Sequence, residues 1–284
     1  MKLQPNVHTF IGCDATFEES EIVIFGAPFD STTSYRPGTR FASSAMRQES
    51  FGIETYSPYQ DKDLTDIRVF DAGDLELPFG DPEATRAQLK DFVSNLLEEG
   101  KFPLMIGGEH GLTYGSVQAF YEKYPDLHII QFDAHTDLRE DYLGVKLSHA
   151  SVIRRCWDLL GDGKIYQFGI RSGERDEFYW AKEHTHLQKF NFDGLEAVVE
   201  QLKGKPIFFT LDLDVLDPSE FPGTGTPEAG GVTFTELHRA ITLISQLNIV
   251  GADMNELSPT YDQSGQSTAL ACKLLREMLL MFNQ

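Results

Sequence analysis

Leu127-His128-Ile129-Ile130-Gln131-Phe132-Asp133-Ala134-His135-Thr136-Asp137 is an apolar run that ends abruptly in acids and an imidazole. A short run without apolar–polar alternation reads as a strand covered on both faces, as in a parallel sheet. A second stretch is built the same way: Pro206-Ile207-Phe208-Phe209-Thr210-Leu211 leads into Asp212-Leu213-Asp214. Open α/β sheets assemble their sites at the carboxyl ends of such strands. Acidic side chains gathered there repel one another unless something positive lies between them. A metal cluster is the simplest answer.

Outward from these two strings, apolar runs alternate with amphipathic stretches. Further strands are expected at 22–25, 67–70, 102–106, 164–168 and 249–253. Helices are expected at 81–99, 112–123, 150–160, 234–247 and 267–282. The first helix has Asp81 as cap, Pro82 at its first position and Gly100 beyond its end. The β-α-β alternation predicts a mostly parallel sheet with helices on both faces. No repeat or linker-like segment interrupts it, so one domain, 1–284, is expected. Two stretches, 29–40 and 217–231, are rich in turn residues and follow strands, where sites are usually assembled.

The bulk composition narrows the function. Apolar residues make up 41% of the 284, enough for a large core, and the net charge is −20. So acidic a chain is a poor nucleic-acid binder, because phosphate contacts need Lys and Arg. A small cationic substrate would be drawn to it. Three cysteines without CxxC spacing exclude a disulfide framework and a thiolate zinc site. No apolar run is long enough for a membrane span, and the amino terminus carries no export signal pattern. A cytoplasmic protein is expected.

The ligand geometry sets a condition. If the first string stayed extended, Asp133 and Asp137 would lie about 13 Å apart. Two ions about 3.5–4 Å apart could not be gripped by both, so the chain must curl after Phe132. Asp212 and Asp214 are expected on one face of their strand, with Asp217-Pro218 stopping it. Gly107-Gly108-Glu109-His110-Gly111 adds a sixth candidate, and its glycines let backbone approach a crowded centre. His110, Asp133, His135, Asp137, Asp212 and Asp214 together form an oxygen-rich, thiolate-free set. Such a set suits a hard to borderline dication such as Mn²⁺. Each of these residues taken alone would pass for a cap or turn residue; three strings at three strand ends would not.

With these strings side by side, the chain resembles the ureohydrolase (arginase/agmatinase) family, and within it most closely the agmatinases. The resemblance covers nearly the whole chain. It is carried by Gly26-Ala27-Pro28-Phe29-Asp30, Arg36-Pro37-Gly38-Thr39-Arg40, the three strings above and Pro222-Gly223-Thr224-Gly225-Thr226-Pro227-Glu228. It implies a three-layer α/β/α fold around a mostly parallel sheet of eight strands, and a homo-oligomer, trimeric or hexameric. It also implies two Mn²⁺ per chain. His110, Asp133, Asp137 and Asp212 would hold one, and Asp133, His135, Asp212 and Asp214 the other. One departure stands out: the family's usual Gly-Gly-Asp-His-Ser is Gly-Gly-Glu-His-Gly here, so Gly111 replaces a serine.

Two adjacent dications lower the pKa of a water and aim it at an electrophile at neutral pH. Asp137 could accept that water's hydrogen bond. A guanidinium carbon is a poor electrophile, and its amine leaves only after gaining a proton. An imidazole near the site suits that transfer. His149 occupies the family's position for it, Glu256 the position for pairing with the guanidinium, and both would touch the substrate. Asp253 would support the ligands from below. His184 and His186 read as a solvated face, and His8, His128 and His238 as structural. The loop 138–148 lacks the Asn by which arginases hold an α-carboxylate. The expected reaction is therefore hydrolysis of agmatine to putrescine and urea, a step of polyamine formation. Arginase, guanidinobutyrase and aminopropylagmatine hydrolase activities share the same core. An inactive regulatory homologue is the rival of another class, and it would have lost one or more of these ligands.

Overall fold

Chains of β-branched and aromatic residues flanked by turns form buried strands, and here they line up in one sheet. The computed structural model describes residues 8–283. Its strands are β1 (Ile22–Ala27), β2 (Tyr56–Ser57), β3 (Lys62–Asp63), β4 (Val69–Asp74) and β5 (Phe102–Gly107). They continue with β6 (His128–Phe132), β7 (Ile165–Ile170), β8 (His186–Lys189), β9 (Pro206–Asp212) and β10 (Asn248–Asn255). Eight of them form a sheet in the order β4-β1-β5-β10-β9-β6-β7-β8. Every pairing in it is parallel. β2 and β3 make a small antiparallel hairpin.

Helices cover both faces. They are α1 (Ala42–Glu49), α2 (Pro82–Glu98), α3 (Thr113–Lys123), α4 (Val152–Leu160), α5 (Arg175–His184), α6 (Leu195–Leu202), α7 (Phe234–Ile244) and α8 (Gln266–Phe282). Two separate apolar cores mark the layers. One packs α1, α6, α7 and α8 against residues such as Ile24, Ile106 and Phe209. The other packs α2, α3, α4 and α5 against the alternate strand residues, among them Phe25, Met105 and Phe208. Successive strand residues point to opposite faces, so each apolar run supplies both cores. This is the expected three-layer α/β/α architecture.

The sequence expectation located seven of the eight sheet strands. It missed β8, a half-exposed edge strand reading His-Leu-Gln-Lys with no apolar run. It also missed α1, α5 and α6, of which α1 and α6 are only eight residues long. α5 carries strongly mixed charge and is opened by a capping box between Glu174 and Glu177. At β9 a second difference appears. The strand ends at Asp212, and Leu213–Val215 form a 3₁₀ turn, so Pro218 plays no part in stopping it.

Candidate metal centre

Four neighbouring strands, β5, β10, β9 and β6, end at one point, and each contributes there. Beyond β5 the chain must pass two neighbours at close quarters. A Cβ on Gly107 would sit 1.9 Å from Asn255 Oδ1, and one on Gly108 would sit 1.9 Å from the Phe29 carbonyl oxygen. Only glycines let this turn deliver His110 into the centre. There His110 Nδ1 lies 3.0 Å from Asp133 Oδ2, 3.1 Å from Asp137 Oδ2 and 3.3 Å from Asp212 Oδ2. It is fully buried, yet it makes no properly directed hydrogen bond to any of the three. One nitrogen and three oxygens facing a common point is the arrangement of ligands around a cation, not of a donor and its acceptors. Alongside, His135 Nδ1 lies 3.0 Å from Asp214 Oδ2 and 3.6 Å from Asp133 Oδ1. Two ligand groups result, His110–Asp133–Asp212 and Asp133–His135–Asp214, sharing Asp133.

The curl required after Phe132 is present. Ala134 leaves the sheet, and its carbonyl accepts the amides of Arg171 and Ser172 beyond β7. Asp137 then turns back through a left-handed φ of 52°, a conformation Asp tolerates better than most residues. Its carbonyl accepts the amides of Ile153 and Arg154 at the start of α4. The second string uses a turn instead of one strand face: Asp212 Oδ1 accepts the Asp214 amide at 2.9 Å. Asp214 thus arrives from the 3₁₀ turn, where the pattern of alternate residues on a strand does not apply.

Charge in this place is out of balance. Burial and the neighbouring acids push the carboxyl of Asp212 well above its ordinary range, and burial with Asp133 beside it lifts Asp137 to about 7. Burial works against charge on His110, but Asp133, Asp137 and Asp212 outweigh it and hold its pKa well up. Burial likewise opposes charge on His135, which Asp214 and Asp133 raise. Asp133 goes the other way: His110 and His135 hold its carboxyl below the ordinary range against its burial, so positive charge beside it is what lets an acid ionise here. A pair of dications would meet the same need, so the donor set and its electrostatics fit the metal ions implied by the sequence.

Behind the ligands lie buried polar contacts. His110 Nε2 faces Thr210 Oγ1 at 2.8 Å, and the Thr210 hydroxyl is hydrogen-bonded to Asp253. Thr113 and Asn255 also donate to Asp253, which is fully buried. This is the supporting place expected for Asp253. Gln131 donates to Asp133 Oδ2 at 2.6 Å and accepts from Gln167. Such contacts fix ring and carboxylate orientation.

Above the ligands opens a cavity of about 260 Å³, lined in part by His135, Asp137, His149, Thr226 and Glu256. Glu256 follows β10 in a left-handed conformation, φ 67°. Its Oε1 accepts the His110 amide at 2.7 Å, and Oε2 lies on the Gly225 side. Burial raises its carboxyl well above the ordinary range against the pull of the His110 amide. His149 stands at the rim with Tyr142 edge-on to its ring at 5.9 Å. Burial, then the nearby His135, lowers its pKa to about 4. At the mouth Arg139 pairs with Glu174 at 3.1 Å.

All six expected ligands, His149 and Glu256 therefore meet at one place. His184 and His186 lie elsewhere, stacked on Trp180 and Tyr166. Sequence reasoning had no role for Thr32, Gln131, Arg171, Thr210 or Thr226. A signal existed for two of them: Gln131 and Thr210 are polar residues inside otherwise apolar strand runs. Arg171 gave none. Its guanidinium donates to the carbonyls of Gly169, Asp214, Val215, Leu216 and Glu228, tying the outer loops to β7.

Residues 20–281 match the family model described as "Arginase family". The chain belongs to the arginase family, and it is a ureohydrolase. Among curated relatives, the agmatinase of Bacillus subtilis (strain 168) is 49% identical over 277 residues, covering 96% of both chains. That of Bacillus anthracis is 50% identical over 275 residues, covering 95% of both. A crystal structure of a putative agmatinase from Clostridium difficile superposes with a TM-score of 0.92 at 51% identity, covering 94% of this chain and 98% of the other.

Proposed function

We propose that this enzyme hydrolyses agmatine to putrescine and urea with two Mn²⁺ ions. His110, Asp133, Asp137 and Asp212 would hold one ion, and Asp133, His135, Asp212 and Asp214 the other. The observation that carries the reading is His110 Nδ1, buried among three carboxylate oxygens at 3.0–3.3 Å without a directed hydrogen bond. Bound there, the ions supply concentrated positive charge that readies a water for attack at neutral pH.

The chain's own groups do the rest. Glu256, one oxygen pinned by the His110 amide, offers the other to the guanidinium, whose carbon it aims inward. Burial disfavours charge on this carboxyl, and an arriving guanidinium supplies the positive partner that offsets it, so recognition and charge balance coincide. Asp137 accepts a hydrogen bond from the attacking water. His149, kept neutral by burial, takes a proton and passes it to the departing amine. At the mouth, Glu174 is shared with Arg139, and the loop 138–148 brings no Asn for a carboxylate. The agmatinase relatives at about half identity support the same substrate. We read the chain as one domain, 1–284, working in the cytoplasm as a homo-oligomer. Among the described residues, no helix is long and apolar enough to cross a membrane.

Steady-state urea release from agmatine and from arginine, with and without added Mn²⁺, tests the reading. Agmatine should be turned over in a Mn²⁺-dependent way and arginine at least about tenfold more slowly. Equal rates on the two, or no urea from agmatine, would overturn it.

A further inference from the structure

One hydroxyl outside the ligand set joins three groups above the site. Thr32, in the loop after β1, donates its Oγ1 hydrogen to Glu109 Oε1 at 2.5 Å, and its amide donates to Glu109 Oε2 at 2.8 Å. The same Oγ1 accepts the His149 amide at 3.2 Å and lies 3.4 Å from His149 Nδ1. On the other edge of the ring, Nε2 faces Ser34 Oγ, from the same loop, at 3.2 Å. The loop is itself held: Asp30, 3% exposed, accepts the Gly38 amide at 2.8 Å and pairs with Arg40. Glu109 is 2% exposed, and each of its oxygens is engaged by Thr32.

Gly111 closes the arrangement from below. A Cβ at this position would lie 3.1 Å from Glu109 Oε1, 3.1 Å from the His149 nitrogen and 3.2 Å from the Ser148 carbonyl carbon. The longer acid at 109 therefore occupies the room a side chain at 111 would need. Both changes serve one packing solution under the segment that carries His149.

We propose that Thr32, backed by Glu109, is a positioning residue that fixes the His149 ring for proton delivery to the leaving amine. A hydroxyl has one hydrogen, and this one is given to Glu109. Toward the ring, Oγ1 therefore acts only as an acceptor. That selects the tautomer with hydrogen on Nδ1 and leaves the Nε2 lone pair on the side of the cavity. The inference deepens the agmatinase reading and rests on His149 as the proton carrier.

The test compares Thr32→Val, which keeps shape but loses the hydroxyl, with Thr32→Ser, which keeps the hydroxyl. Each is assayed in the Mn²⁺-loaded enzyme for kcat and KM with agmatine, for metal content and for thermal midpoint. The rate at which diethyl pyrocarbonate modifies His149, read by peptide mass in metal-free protein, is followed in parallel. Thr32→Val should lower kcat about 30-fold with KM within about twofold, because general acid–base catalysis contributes roughly 10²–10⁴ and only its alignment is lost. Metal content should hold, and His149 should react several-fold faster once its ring is freed. Thr32→Ser should recover kcat to within about threefold. Gly111→Ala, pressing on the same amide, should give the same split and serves if Thr32→Val does not fold. Equal loss in the Val and Ser variants, or unchanged kcat and modification rate in both Thr32→Val and Gly111→Ala, would overturn the proposal. If the parent enzyme releases no urea from agmatine, the substrate reading fails instead, while the modification rates still decide the role of Thr32.

Discussion

Thr210→Val probes the support of the metal centre without touching a ligand. The residue is fully buried in the middle of the sheet, and valine is nearly its shape, so packing is retained. What is lost is the hydroxyl between His110 Nε2, 2.8 Å away, and Asp253. Removing such an oriented partner costs a ligand about 10–100-fold in metal affinity, equal to roughly 1.4–2.8 kcal/mol. The carboxyl of Asp253, already raised by burial, keeps Thr113 and Asn255 as donors, so it is not stranded. The loss should therefore fall on the ion nearest His110 and spare the one beside His135 and Asp214. Calorimetric titration of metal-free protein with Mn²⁺ reads this as one weakened and one unchanged site. Two unchanged affinities in a variant with parental stability would refute His110 as a ligand oriented through Thr210. Loss of both ions together would refute the separation of roles.

Other substitutions test other parts of the same account. Asp133→Asn removes the carboxylate common to both ligand groups, so Mn²⁺ content measured after dialysis should collapse for both sites together. Gly108→Ala places a Cβ 1.9 Å from a backbone oxygen that cannot swing away. It should cost about 3 kcal/mol or more, seen as a lowered urea midpoint or as insoluble protein. Glu277 is bonded by His238, Gln60 and Ser57 and paired with Arg276, and these partners, His238 foremost, hold its carboxyl down at about 2 against its burial. A depressed acid contributes stability above its unfolded pKa, near 4.5, and loses it as pH falls toward 2. Glu277→Gln should lose about 3 kcal/mol at pH 7, because Arg276 is left without its buried partner, and the loss should shrink as pH falls below 4. Denaturant titrations at pH 7 and pH 3 compare the two.

The legible part of the molecule was the part governed by period and by residue type. Apolar runs such as 127–132 and 206–211 declare strands because burial on both faces leaves no polar alternation. The acids that follow declare a cation because no arginine stands among them. β8 and the helices α5 and α6 were not legible, since edge strands and charged or short helices owe their place to neighbours, not to their own pattern. The route by which Asp214 reaches the centre was misjudged for a related reason. A 3₁₀ turn and a two-residue strand repeat give similar spacing in sequence, and only the hydrogen bond from the Asp214 amide to Asp212 distinguishes them. Contacts between distant segments, such as Thr32 with Glu109 and His149, leave no periodic trace at all.

Arg171 carries a consequence for how new substrates could be accommodated. One side chain grips the carbonyls of Asp214, Val215 and Leu216 along one turn and also the loop at Glu228. Because it holds carbonyls, it is indifferent to which side chains that loop bears. The outer wall can thus be rewritten residue by residue while the acids beneath it stay where they are. Diversification of the molecule's clientele would then require surface edits alone, with the inorganic core inherited intact.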